Sequence, residues 1–214
     1  MANVVDMEVE IPVNGKVHRG ILVMPEKMRG MVLFSHGSGS NRKSPRNAAV
    51  ASFFNQNGMG TLLFDLLNVE EGETSYMHFD IGLLTDRLVL ATAWLGKLDG
   101  MAGIPMGYFG SSTGAASAMC AAVKVPAIAA VVSRGGRTEF SVNDAIQVKC
   151  PVLFIVGELD KDALELNRTV MLMMHGVTRM DVVLGATHLF PERGKMGKVA
   201  KLALDWFKKY LVAA

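Results

Sequence analysis

The run PMGYFGSSTGAASAM, Pro105 to Met119, decides the fold. Pro105–Phe109 is a short apolar stretch bounded by proline and glycine, the pattern of a buried strand. From Ser112 to Val123 the residues are small and helix-compatible. Between them stands Gly110-Ser111-Ser112-Thr113-Gly114, a G-x-S-x-G in a strand–turn–helix setting. Such a turn is sharp enough that the positions two before and two after the central serine must be small. Ser112 meets this with Gly110 and Gly114. Ser111 does not, because Phe109 stands two before it. Ser112 is therefore the candidate nucleophile, with its hydroxyl at the positive end of the helix that follows.

Working outward, strands and helices alternate. Val4–Ile11 and Val17–Met24 are predicted as an opening hairpin around Asn14-Gly15. Gly30–Ser35 is a strand. A helix follows from Pro45 to about Asn57, with Ser44 as its cap. Thr61–Phe64 is a strand ending at Asp65, and Leu66–His78 a polar loop. Phe79–Leu98 is a long helix, and Ala127–Val132 and Pro151–Val156 are strands. A helix over Lys161–His175, a strand Thr178–Leu184 and a helix over Glu192–Val212 complete the chain. This alternation predicts a three-layer α/β fold, a mostly parallel sheet with helices on both faces. No segment is large enough for a cap domain, so 1–214 reads as one domain. In such sheets ligands sit beyond the carboxyl ends of the strands, and reactive residues are expected there.

A serine hydroxyl needs a base, and the base needs an orienting acid. Of the five histidines, His188 alone follows the last strand, in Gly185-Ala186-Thr187-His188-Leu189-Phe190. After the strand Pro151–Val156, Gly157-Glu158-Leu159-Asp160 offers two acids. Asp160, at the entrance to the next helix, is the first choice and could also cap that helix; Glu158 is the alternative. The backbone N–H groups of Thr113 and of Ser38, in the loop His36-Gly37-Ser38-Gly39-Ser40, are the expected oxyanion donors. A histidine base implies no metal and no cofactor, and activity that rises through the histidine titration range and survives a chelator.

In order and spacing, SHGSGSNRKSPRN, LLFDLL, GYFGSSTGAA, VVSRGGR, VLFIVGELD and GATHLF resemble the dienelactone hydrolase-like branch of the α/β hydrolases, over nearly the whole chain. The resemblance implies a small hydrolase without a cap, in a branch where some members are fused to phosphoribosyltransferase domains. Dienelactone hydrolase itself uses a cysteine nucleophile, whereas Ser112 stands here. Cys120 lies two helical turns past the elbow and cannot substitute. A small ester or lactone is thus the expected substrate class.

Two other readings compete. Gly37 to Ser44 nearly matches a phosphate-binding G-x-x-x-x-G-K-[ST] loop, and Asp65 could hold its magnesium. Against this, Arg42 replaces the second glycine, and Pro45 lacks an N–H beside the cradle. The other is a non-catalytic module on a hydrolase fold.

Four arginines, Arg42, Arg46, Arg134 and Arg137, fall in segments expected near the catalytic rim, and an anionic substrate is one reading of them. The other is pairing with acids such as Glu70, Glu71, Glu73 or Glu139. The charge balance, 22 basic against 20 acidic residues in 214, gives no argument for nucleic acid or membrane as partner. The start of the chain has acids at Asp6, Glu8 and Glu10 and no apolar leader, so a cytoplasmic location is expected. Two cysteines, Cys120 and Cys150, suggest buried free thiols. Oligomeric state has no signature in the sequence.

Overall fold

The computed structural model describes residues 4–211. The reading of the first residues, and Val212 of the predicted last helix, lie outside the described residues. Eight strands form one sheet: β1 (Val4–Val13), β2 (Lys16–Pro25), β3 (Gly30–Ser35), β4 (Met59–Phe64), β5 (Met106–Ser111), β6 (Ile128–Arg134), β7 (Val152–Gly157) and β8 (Thr178–Val183). Their spatial order is β1-β2-β4-β3-β5-β6-β7-β8. β1–β2 and β2–β4 pair antiparallel; every later pairing is parallel. β3, β4 and β7 are buried along their whole length, as unbroken apolar strands covered on both faces must be.

The helices are α1 (Pro45–Asn55), α2 (Val69–Gly72), α3 (Ile81–Leu95), α4 (Thr113–Lys124), α5 (Val142–Ala145), α6 (Lys161–Met173) and α7 (Lys195–Tyr210). On one face of the sheet, α1 and α7 bury Phe54 and Phe207 against Phe34 and Phe109. On the other, α3, α4 and α6 pack Leu84, Leu88, Ala118, Met119 and Val170 against Leu33, Tyr108 and Phe154. The small residues of α4 let that helix lie close under the sheet, and Ala115, Ala116 and Ala118 have no exposed surface. This is the three-layer α/β-hydrolase architecture, and among the described residues no further domain is inserted.

Several boundaries differ from the sequence expectation for identifiable reasons. The predicted loop 66–78 contains α2, because Asn68 and Glu71 form a reciprocal capping box, and a 3-10 turn over Ser75–Phe79. Glu71 is buried there and bonded by Lys16 and Arg87. α3 starts at Ile81 rather than Phe79 because the Asp80 carboxylate accepts the Leu83 N–H. A 3-10 turn over Thr138–Ser141 and then α5 fill a stretch with no predicted element. α6 ends at Met173, which leaves His175 past the helix end. No helix among the described residues is long and apolar enough to cross a membrane.

Candidate active site

Five strand ends, those of β3, β5, β6, β7 and β8, and their loops converge on one edge of the sheet. β5 ends at Ser111, and Ser112 follows with φ 53° and ψ −122°, a backbone conformation that an L-residue holds only when its surroundings impose it. They do. The Ser112 N–H donates to the Arg134 carbonyl at 3.1 Å, and the Ser112 carbonyl accepts the N–H groups of Ala115 and Arg137. A β-carbon at Gly114 would collide with the Ser35 and His36 carbonyls, and one at Gly110 with Ala115 and the Gly114 carbonyl. The two glycines flanking Ser112 are therefore required by contact. Ser111 is buried, as the Phe109 argument anticipates. Ser112 Oγ makes no hydrogen bond among the described residues, and catalytic hydrogen bonds commonly tighten only when substrate arrives.

The Nδ1 of His188 lies 2.6 Å from Asp160 Oδ2. Gly157, at the end of β7, makes this possible: a side chain there would strike the Ala186 and Thr187 carbonyls, so the loop carrying His188 could not close on β7. Asp160 occupies the cap position of α6 without bonding a helix N–H, so it does not share the capping job. Glu158 is committed elsewhere; its carboxylate accepts the Gly185 N–H at 2.7 Å. Ser112 and His188 both contact one short segment, 134–135. Arg134 takes the serine N–H, and Gly135 (φ +52°) packs against the imidazole.

Thr113 is the first residue of α4, so its N–H has no partner within the helix. The Ser38 N–H donates to Thr113 Oγ1 at 2.9 Å, a clip between the two candidate oxyanion donors that the sequence did not reveal. Gly37 fits against Ser111 and Ser112, where a β-carbon would be 3.0 Å from Ser112 Cβ.

The arginines separate into distinct environments. Arg42 bonds Asp65 through its side chain at 2.5 Å and its backbone N–H at 2.8 Å. Arg137 pairs with Glu139 and stacks on Phe140. Arg46 is exposed in the first turn of α1. Arg134 is buried with no carboxylate partner. Gly135 packs against His188, and Gly136 against Ser133, Ala115 and Asn167, which leaves no room for a ligand beside the backbone between Arg134 and Arg137. The phosphate-loop reading fares poorly against this geometry: Asp65 is held by Arg42, and the Gly37 loop is pressed onto the elbow.

Burial pushes the thiol of Cys120 up to about 12 and that of Cys150 up to about 11, so neither supplies a thiolate. Cys120 is buried as expected; Cys150 is only partly so. Among the described residues no group of three or more His, Cys, Asp or Glu side chains is placed to hold a metal ion. Leu159 and Leu189, next in the chain to Asp160 and His188, are exposed, as are Phe79 and Phe140, whose ring centroids lie 6.5 Å apart.

No protein-family model matches the chain. A crystal structure of dienelactone hydrolase from Anabaena variabilis superposes with a TM-score of 0.94 at 42% identity, covering 97% of this chain and 99% of that one. A Mycobacterium tuberculosis protein named "Putative phosphoribosyl transferase" is 46% identical over 207 residues, 96% of this chain. The chain spans about half, 47%, of the length of that relative. Est1E from Butyrivibrio proteoclasticus shares the fold at a TM-score of 0.81 and 15% identity, covering 94% of this chain and 98% of that one.

Proposed function

From the premise that the chain belongs to the dienelactone hydrolase family of α/β hydrolases, we propose that it hydrolyses carboxylic ester or lactone bonds of a small substrate with Ser112 as nucleophile. The observation that supports this reading is the His188–Asp160 hydrogen bond, on a ring packed against Gly135, next in the chain to the Arg134 carbonyl that accepts the Ser112 N–H. Ser112 Oγ attacks the carbonyl carbon while its proton passes to Nε2 of His188. Asp160, on Nδ1, fixes the ring and favours the imidazolium that forms. The oxyanion is held by the Thr113 N–H and, once it turns from Thr113 Oγ1, the Ser38 N–H. His188 returns the proton to the leaving alkoxide. Water then attacks the acyl-enzyme by the same route in reverse, releasing the acid and restoring the serine.

The exposed Leu159 and Leu189 beside the dyad offer the ester a partly hydrophobic seat. The transferase name of the mycobacterial relative describes a protein about twice as long as this chain; the elbow and dyad are parts suited to acyl transfer to water. The test is hydrolysis of 4-nitrophenyl acetate together with fluorophosphonate labelling. Ser112→Ala lowers turnover on the order of 10³-fold or more and abolishes labelling. Undiminished turnover, or labelling at another serine, overturns the assignment.

A further inference from the structure

Arg134 is in an unusual position for a charged residue. Its side chain is 6% exposed, and Nε is sealed from solvent without a hydrogen-bond partner. Nη1 reaches only the sulfur of Met196 at 3.8 Å, a weak acceptor. The other charges nearby worsen its situation. Burial, with the repulsion of Arg46 in the first turn of α1 added to it, pushes the Arg134 guanidinium down to about 10. Met196 lies in the first turn of α7, whose cap residue Gly194 offers no side-chain cap and whose first turn carries no acid. The first turn of α1, which carries Arg46, has none either. Among the described residues no carboxylate pairs with either guanidinium. A buried charge left unpaired is strongly unfavourable, and proteins that retain one commonly reserve it for a ligand.

We propose that Arg134, with Arg46 at its mouth, seats an anionic oxygen group, a phosphate or a carboxylate, carried by the substrate. The proposal rests on the hydrolase reading and deepens it. The backbone supplies the link to chemistry. The Arg134 carbonyl accepts the Ser112 N–H, and the adjacent Gly135 supports His188. An anion seated on Arg134 therefore anchors a substrate whose scissile bond lies beside the dyad. Arg42 and Arg137 cannot serve in this way, since each already holds a carboxylate. The fork of Arg134 suits bidentate pairing with two oxygens, and Arg46 supplies a second positive charge, which suits a phosphate dianion.

Three aryl esters test the proposal: one neutral, one with a terminal carboxylate and one with a phosphate on the acyl chain. In Arg134→Met the ratio of kcat/KM for the anionic esters to that for the neutral ester falls at least tenfold, through KM. Arg46→Met, at an exposed position, lowers the same ratio several-fold. The ester whose ratio falls further identifies which oxyanion the site prefers. A binding readout needs no turnover. Inorganic phosphate raises the melting temperature of Ser112→Ala but not of the Ser112→Ala/Arg134→Lys double variant, which keeps a charge and loses the fork. Unmoved ratios in both arginine variants, with the neutral ester still cleaved through Ser112, overturn the proposal alone. If no ester is cleaved, the hydrolase reading fails and the phosphate shift still decides whether Arg134 binds an anion.

Discussion

Gly135 lies flat against His188: a β-carbon at this position would be 3.4 Å from both Cε1 and Nδ1 of the imidazole and 3.3 Å from the His188 carbonyl. The residue is also in the left-handed region at φ +52°. Gly135→Ala should therefore act twice. It strains the backbone by about 1 kcal/mol, and the methyl crowds the His188 carbonyl, so the loop that carries the ring must give way slightly. Turnover of an aryl ester falls while KM changes little. A variant with wild-type turnover would show that the ring does not depend on this support.

The two acids after β7 have separable jobs. Asp160→Asn keeps the shape but lets the histidine adopt the wrong tautomer, so turnover falls on the order of 10³–10⁴-fold. Glu158→Gln weakens the hydrogen bond to the Gly185 N–H and costs about 1 kcal/mol of stability, with a far smaller loss of turnover. Kinetics and thermal melts of the two variants check this. Equal losses of turnover would mean that Glu158 acts on His188 as well.

His36 ties the loop after β3 to the segment after β4. Its Nε2 accepts the Leu66 N–H at 3.0 Å, and Nδ1 donates to the Gly37 carbonyl at 3.1 Å. Only the neutral ring can do both. Burial holds its pKa below the ordinary 6.5, and burial lowers that of His18 as well. Such a group binds fewer protons folded than unfolded. Its contribution is complete above the unfolded value of about 6.5 and is lost as pH falls below it. The melting temperature should thus decline between about pH 7 and pH 5, before carboxylates such as Glu71 protonate. His36→Gln, which keeps an acceptor for Leu66, should flatten that decline. An unchanged slope would assign the loss to other groups.

Two glycine-to-alanine changes should have opposite signs. At Gly114 the new methyl meets the Ser35 and His36 carbonyls, backbone that cannot step aside. The expected cost is about 3 kcal/mol or more. At Gly197, exposed within α7, nothing lies within 4 Å, and the same change should stabilise by about 1 kcal/mol through helix propensity. Denaturant melts of both variants measure the difference.

The elbow was legible because its constraint is local: the glycines that make room for Ser112 are two residues away on either side. The order of strands and helices was legible from apolar runs, and His188 and Asp160 from their place after β8 and β7. What escaped was set by distant partners. Thr113 Oγ1 receives its N–H from Ser38, 75 residues earlier in the chain, and Arg42 finds Asp65 across 23 residues. The closeness of Gly157 to the Ala186–Thr187 backbone exists only once β7 and β8 are paired. The turns over 138–145 lack a hydrophobic period of their own, and Arg137 stacks there on Phe140.

The φ of 53° at Ser112 has a consequence for anyone engineering this protein. Holding a serine in that conformation costs about 1–3 kcal/mol, and glycine is free of the penalty. A library selected for heat resistance alone should drift towards Ser112→Gly, a tougher and inert molecule. One selected for turnover should keep the serine and look for its robustness elsewhere. With Ser112 as the proposed nucleophile, thermal tolerance and activity are opposed at this residue, and a screen that reads only the first should discard the second.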